Sequence, residues 1–464
     1  MAESLPLALA WHPTVRLSLP VQRFSLVAAI LILFTSSFDI FLVVNVGGNY
    51  RFCQFVLAPL IVLATIKAWR ARRIPTLGSV GLCIWFLFQT AFIPTTEFWP
   101  RSVGYCLWLA LNIGLLFTFV QLFSYDPRTL RTLVRWYLYS FAFVSAFGMV
   151  QFMLPLLGLP GFLIQQWWIP GALPRVNGFS YEPSYFASYL LIGFVLVSSL
   201  RRAKSTLLPS RALLGIYCLT GLGILISSSR MSIVFLLAEI LFTAIRPWIS
   251  FFGDISRLRI VRSRLRSLVP SFLSLAFVAA MLGGVVVALR ANPELLLMFL
   301  NGTGVSDTAA HSVVERESSF EKTLTVFVQH PWVGRSLGGI PSAIAETEGE
   351  TIHSFEDANT TEGMNIFAEV LAASGVIGAI PFFCFVVVTI RKPLKLARIA
   401  PTFDASLLRA LVRSLVFAWA VLQFNQNVLR TYLWIHLGML ATVYAATLQI
   451  TRDQAEGSRM TSSE

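Results

Sequence analysis

Apolar runs of bilayer-crossing length recur along this chain, and they constrain its fold more than any motif does. A helix needs about 20 residues to cross a bilayer. Twelve runs fit, at 24–46, 52–70, 78–96, 103–123, 131–157, 182–200, 211–228, 231–250, 268–290, 364–390, 406–428 and 431–450. Backbone polar groups in hydrocarbon must bond internally, so a spanning segment is a helix or part of a closed barrel. A barrel would show short alternating strands, and none is read here. The expected class is therefore all-α: a polytopic membrane protein of about twelve transmembrane helices with a large helical extracytoplasmic loop. Only 13% of residues are charged and mean hydropathy is +0.71, whereas soluble domains carry about a quarter charged residues.

The basic residues give an orientation. With the N-terminus inside, the inner loops hold Arg70, Arg72 and Arg73; Arg128, Arg131 and Arg135; Arg201, Arg202 and Lys204; Arg257 to Arg266; and Arg391 to Arg398. Of the 36 Lys and Arg residues, 27 fall inside and nine outside, the asymmetry of a multi-pass inner-membrane protein with both termini cytoplasmic. The net charge of +13 thus reads as membrane topology and not as nucleic-acid binding. The expected organisation is a cytoplasmic tail at 1–23, spans one to nine over 24–290, an outer loop at 291–363, the last three spans over 364–450, and a polar, disordered tail at 451–464. Within the outer loop, Phe320–Val328 has helical periodicity and reads as folding back on the membrane.

Five cysteines stand singly in apolar runs and read as small core residues. No His, Cys or acidic set has metal-ligand spacing, and no glycine loop of nucleotide type precedes a Lys-Ser/Thr pair. No metal or cofactor is expected.

The chemistry concentrates in Arg175-Val-Asn-Gly-Phe-Ser-Tyr-Glu-Pro-Ser-Tyr-Phe-Ala187, which closes an outer loop and opens the sixth span. Pro183 suits the first helical position, where its missing N–H costs nothing. Even-numbered spans start at the outer face, and a helix start carries free N–H groups and about half a positive charge. Arg175 at the sixth span and Arg230 at the eighth therefore each pair a guanidinium with a helix start, a combination suited to phosphate. Arg316 and Arg335 lie in the large outer loop. The positive-inside trend does not explain outer arginines. A single one is as often a headgroup anchor as a functional group; four together favour function.

Other residues carry two readings. Glu182 is an acid at a helix start, which the dipole alone would stabilise, or it orients Arg175 or accepts a hydroxyl proton; the structural or orienting role is the commoner. Asn177, Tyr181 and Asn365 are candidate substrate contacts. Tyr181 and Tyr185, with Trp167 and Trp168, either stack on sugar rings or form an interfacial aromatic belt. His311, His330 and His353 are outer-loop candidates for acid–base work, with solvation or turn structure the commoner role. Asp39, Glu239 and Glu369 are acids within spans.

Four segments together resemble the O-antigen ligase/O-antigen polymerase family of bacterial envelope enzymes. They are Arg175-Val-Asn-Gly178 with Glu182-Pro-Ser-Tyr-Phe-Ala187; Ser227-Ser-Ser-Arg230; Arg316 to His330-Pro-Trp-Val-Gly334; and Asn365-Ile-Phe-Ala-Glu369 with Ser374-Gly-Val-Ile-Gly378. The resemblance covers about residues 170–380. It implies a glycan carried on undecaprenyl diphosphate as substrate, transfer on the outer leaflet, contact with membrane lipid and a chain-length or other polysaccharide-assembly partner. By position Arg175, Arg230 and Arg316 match the family's functional arginines. Ligases commonly open the tenth span with His-Asn, and this chain has Met364-Asn365, which favours a polymerase of O-antigen, exopolysaccharide or capsule repeats over a ligase acting on lipid A core. A transporter of an anion or lipid-linked sugar is the reading from a different class. It predicts paired halves and broken helices at the midplane.

Overall fold

The structure, a computed structural model, describes residues 18–45, 49–71, 77–255, 307–352, 354, 358, 365–400, 402–424 and 428–461; at 45, 49, 71, 246–255, 307–316, 402–403 and 456–461 it describes the backbone alone. Among these residues are thirteen α-helices: α1 (Leu19–Thr35), α2 (Phe52–Ala71), α3 (Ser79–Ala91), α4 (Trp99–Phe123), α5 (Pro127–Leu156), α6 (Pro183–Arg202), α7 (Ser210–Ser227), α8 (Arg230–Ile255), α9 (Asp307–Gln329), α10 (Ile340–Glu348), α11 (Ile366–Leu396), α12 (Thr402–Val421) and α13 (Thr431–Thr461). The chain is an all-α polytopic membrane protein. Seven of these helices, α2, α4, α5, α6, α7, α11 and α13, are long and apolar enough to cross a bilayer, and α1 and α3 are shorter apolar helices. Helices stand at eleven of the twelve expected spans. The ninth, 268–290, lies outside the described residues.

Helix α6 is the axis of the bundle. It is mostly apolar and buried on nearly every side, with 83% of its spanning window buried, against 33% for α7 and 39% for α2. A helix without a polar face must be enclosed by neighbours or by lipid; α6 is enclosed by α5, α7, α8 and α12, while α2 and α7 form part of the rim. Lipid tails are as apolar as leucine, so close packing and interhelical hydrogen bonds do more than water exclusion to join such helices. One buried tie runs through the centre. His436 Nε2 faces the Leu411 carbonyl at 2.9 Å and can only donate there, so Nδ1 accepts from Tyr137 Oη at 3.0 Å. That chain of contacts joins α5, α12 and α13.

Helix α11 is broken. Gly375 has φ 57° and ψ −170°, a conformation that glycine alone adopts readily. The break leaves carbonyls above it and amides below it without intrahelical partners. The segment after His330 fills the gap: Arg335 N and Ser336 N donate to the Ala372 and Ala373 carbonyls at 3.0 and 2.8 Å, and Val376 N and Ile377 N donate to the Pro331 and Trp332 carbonyls at 2.7 and 3.1 Å. The approach is so close that a Cβ on Gly334 would strike the backbone at 372–374, and one on Gly375 the backbone at 332–333. Ser374 Oγ accepts from Trp85 Nε1 and Gln89 Nε2 at 3.0 and 2.6 Å, and Gln89 Oε1 accepts from Leu337 N at 2.9 Å. The outer loop is thus anchored to α3 and α11.

Three expectations change. The outer segment 158–181 is not all loop: β3 (Gln166–Ile169) and β4 (Leu173–Arg175) pair as an antiparallel hairpin, and β1 (Val43–Asn45) pairs with β2 (Asn49–Arg51). Strands of three or four residues are too short for an alternation signal. The segment 451–461 continues α13 in place of a disordered tail; Arg452, Gln454, Ala455 and Glu456 are good helix formers. Cys53 and Cys106 are buried, but Cys83, Cys218 and Cys384 are exposed on the helical surface, so the core reading holds for two of the five. Helix is observed within the 291–363 segment: α9 includes Phe320–Val328, with Val326 fully buried.

Candidate active site

The β3–β4 hairpin places Arg175. Gln166 pairs with Arg175 in the strand register, and Gln166 Oε1 accepts from Arg175 Nη1 at 2.8 Å. The guanidinium carbon lies 5.4 Å from the centroid of the Trp168 ring. An amide oxygen on one side and a ring face on the other orient the guanidinium. Trp168 Nε1 donates to Ser228 Oγ at 3.0 Å, and Val176 N donates to the Ile226 carbonyl at 3.4 Å. These bonds hold the Arg175 strand against the α7–α8 turn.

That turn carries Arg230 as the first residue of α8. Ser228 ends α7 in the left-handed region, with φ 55°. Ser227 Oγ donates to the Ile224 carbonyl at 2.6 Å and accepts from Ser229 N at 3.2 Å. Short hydroxyl side chains satisfy backbone groups in tight turns, which accounts for Ser227-Ser-Ser229. The structure therefore brings the segments bearing Arg175 and Arg230 together through Trp168 and Ser228.

Glu182 occupies the N-cap position of α6, with φ −123° and ψ 149°, and Pro183 follows at the first helical position. Its side chain does not cap the helix; Glu182 Oε2 accepts from Ser184 Oγ at 2.7 Å. Tyr181 is 61% exposed, open to a ligand. Asn177 is fully buried and holds the loop: Nδ2 donates to the Leu163 and Ser180 carbonyls at 3.0 and 2.7 Å, and Oδ1 accepts from Gln165 N at 3.2 Å. An amide committed in this way shapes the site from behind.

Arg335 and Asn365 stand elsewhere. Arg335 Nη1 donates to the Thr95 carbonyl at 3.0 Å and Nη2 pairs with Glu346 at 3.1 Å; its partners come from the turn before α4 and from α10. Asn365 caps α11 through Oδ1, which accepts from Ala368 N at 2.9 Å, and its Nδ2 donates to the Gln423 carbonyl at 3.1 Å. Arg316 lies in α9, and its side chain is outside the described residues, as are those of His311 and His353. His330 directly follows α9 and opens the turn that Gly334 N closes on the His330 carbonyl at 3.2 Å; partial burial first, then the Arg335 charge, hold its pKa below the ordinary 6.5.

A second charged cluster escaped the sequence reading. Asp39 Oδ1 pairs with Arg51 Nη2 at 2.6 Å and Oδ2 lies 3.6 Å from Arg430 Nη1, with all three side chains 8–11% exposed. The Arg430 guanidinium carbon is 3.5 Å from the Tyr185 ring centroid, and that of Arg51 is 5.0 Å from the Trp108 centroid. Arg51 and Arg430 belong to the nine outer basic residues, so the sign of their loops was the available signal; a sequence separation of 380 residues between Arg51 and Thr431 hid their meeting.

Near the opposite end of α6 lies Glu239, which is fully buried and takes Arg413 Nη2, Arg413 Nε and Ser198 Oγ, with Arg202 Nη2 at 3.5 Å. The named contacts of this cluster stay among α6, α8 and α12, away from the Arg175 hairpin.

Residues 215–383 match the model of the O-antigen ligase family. The match runs from α7 into α11 and includes Arg230, Arg316, Arg335 and Asn365, but not Arg175 or Glu182. No curated protein matches the chain.

Proposed function

We propose that this chain, carrying an O-antigen ligase-family domain, is a glycosyltransferase of the polymerase type that joins undecaprenyl-diphosphate-linked oligosaccharide repeats at the outer face of a bacterial inner membrane. The observation that carries this reading is the Trp168–Ser228 tie, which sets Arg175 of the β3–β4 hairpin beside the α7–α8 turn that carries Arg230. An acceptor hydroxyl oxygen attacks the anomeric carbon of the donor glycan. The anomeric carbon–oxygen bond to the diphosphate breaks, the lipid diphosphate leaves with the electron pair, and the hydroxyl proton passes to a base. A diphosphate leaving group needs fixed positive charge more than it needs an acid, and preorganised donors stabilise such developing charge well. Arg175, Arg230 and Arg316 supply that charge. Glu182, beside Ser184 and not used as a cap, orients the acceptor or takes the proton. Tyr181 is placed to stack on a sugar.

The basic loops at the far end of the bundle support an orientation with the Arg175 face outside. Met364 where ligases have histidine favours the polymerase over transfer to lipid A core. The Glu239 cluster, with its named partners confined to the far end, speaks against a transport path.

Arg175→Ala tests the reading. Polymer is lost, single lipid-linked repeats accumulate, and the protein inserts in normal amount; undiminished polymer length contradicts it. Purified protein given lipid-linked repeats with and without lipid A core separates the two enzymes: a glycan ladder without core supports the polymerase, and product formed with core alone supports the ligase.

A further inference from the structure

Glu182 lies between two fixed points, and both lead back to the same turn after α1. On one side, Asp39 N and Ile40 N both donate to the Phe179 carbonyl, at 2.9 and 3.2 Å, and Ser180 Oγ donates to the Ser37 carbonyl at 3.1 Å. The Phe179 ring is packed against Phe38 at 4.1 Å and Phe147 at 3.9 Å between centroids. On the other side, Tyr185 in the first turn of α6 lies face-on to Arg430, 3.5 Å from the guanidinium carbon, and Arg430 pairs with Asp39. Tyr185 N donates in turn to the Glu182 carbonyl at 3.1 Å.

Charge accounts for the strength of this hold. Asp39 is 8% exposed and balances two guanidinium groups that are 10% and 11% exposed. Buried charges are retained when they are paired and hydrogen-bonded, and removing one partner leaves the others uncompensated. The cluster joins residues from the segments after α1, before α2 and before α13 to the start of α6.

The geometry points to Asp39 as a positioning residue for the candidate site: through the Phe179 backbone and through Arg430 on Tyr185, it fixes both flanks of Glu182 and so sets the start of α6. Asp39 makes no contact with substrate in this account; its effect passes through Arg430 and Tyr185. The inference rests on the proposed glycosyl transfer for its activity readout and on the fold alone for its structural one.

Two measurements on the full chain in lipid nanodiscs test it. The first is transfer between lipid-linked repeats. Asp39→Asn keeps the side-chain volume and the backbone N–H but loses the charge, and it lowers kcat about tenfold or more with KM within about twofold, the pattern of a group that acts on the reacting geometry and not on uniform binding. Arg430→Gln and Tyr185→Leu give similar losses. Asp39→Asn combined with Arg430→Gln falls little below either alone, because the residues act as one unit, and Tyr185→Phe, which keeps the ring, retains more activity than Tyr185→Leu. Multiplicative losses in the double variant, or an unchanged kcat in Asp39→Asn, overturn the proposal. The second measurement needs no activity: hydrogen exchange of residues 178–186 rises in Asp39→Asn while that of 203–211, at the other end of α6, stays as in the parent. Unchanged exchange at 178–186 overturns the inference even if transfer is confirmed. Absent transfer in the parent chain, with the exchange response intact, sinks the function and leaves the positioning role standing.

Discussion

Trp168 and Ser228 are 60 residues apart in the chain and share a hydrogen bond of 3.0 Å. The same indole lies beside Arg175, and Ser228 ends the helix before Arg230. One side chain therefore joins the strand of Arg175 to the turn that carries Arg230, segments that the sequence assigns to separate spans. Trp168→Phe keeps an aromatic face for Arg175 and removes the donor. The loss of one such bond is worth about 1 kcal/mol, and misplacement of a charge-holding group has a larger effect on rate than on stability. The expected result is a severalfold drop in polymer formation with near-normal protein yield, read from chain-length ladders and quantitative blots of membranes. Normal ladders would remove the tie from the account.

The broken α11 makes a prediction about folding. Gly375 has φ 57°, and an added Cβ would meet the Trp332 backbone. Gly334 has φ 68° and would meet the backbone at 372–374. Neither obstacle is a flexible side chain, so neither can yield cheaply. Gly375→Ala and Gly334→Ala each release the segment 330–336 from α11. Limited proteolysis of purified protein shows new cleavage near residues 330–340, and thermal stability in detergent falls. A protease pattern matching the parent for both variants contradicts the docking.

At the far end, Glu239 is fully buried between Arg413 and Arg202, whose side chains are 20% and 26% exposed. Glu239→Ala removes the carboxylate that Arg413 pairs with and takes one partner from Arg202, which keeps Thr243 and Ser199. Breaking a buried pair costs about 3–5 kcal/mol, and partial access of the arginines to solvent puts the expectation near the lower end, about 3 kcal/mol. A melting curve in detergent measures it, and adding Arg413→Met recovers part of the loss. A Glu239→Ala protein as stable as the parent contradicts the staple.

The environment of His330 sets a pH expectation. Burial and the nearby Arg335 charge lower its pKa below 6.5 in the folded chain. A group with a depressed folded pKa stabilises the fold fully above its unfolded pKa, and that contribution fades as pH falls below about 6.5 toward the folded value. Carbon-13-labelled histidine, assigned with a His330→Asn variant, gives the titration midpoint directly. The midpoint lies below 6.5; a value at or above 6.5 contradicts the described surroundings.

Much of the fold was legible because length and hydrophobicity alone specify membrane helices, and Arg175, Glu182 and Arg230 stood out as charges at helix starts. The remainder depended on features that local sequence does not carry. Asn177, Arg335 and Asn365 have residue types suited equally to a ligand or to a backbone carbonyl, and in the structure their polar groups go to loop, ion-pair and cap contacts. Ser374-Gly-Val-Ile-Gly378 sits in an unbroken apolar run, so the interruption at Gly375 shows only when Pro331 and Trp332 are seen beside it. Asp39 looked like an isolated acid within a span because its partners, Arg51 and Arg430, are far apart in the chain.

The central claim is that Arg175 and Arg230 hold one diphosphate. Its most direct test is binding of undecaprenyl diphosphate to the full chain in nanodiscs, measured for the parent, Arg175→Ala, Arg230→Ala and the double variant. Each single change weakens binding about tenfold or more, and the double variant loses less than the product of the two, since both groups act on the same anion. Binding as tight as in the parent for both single variants would contradict the account.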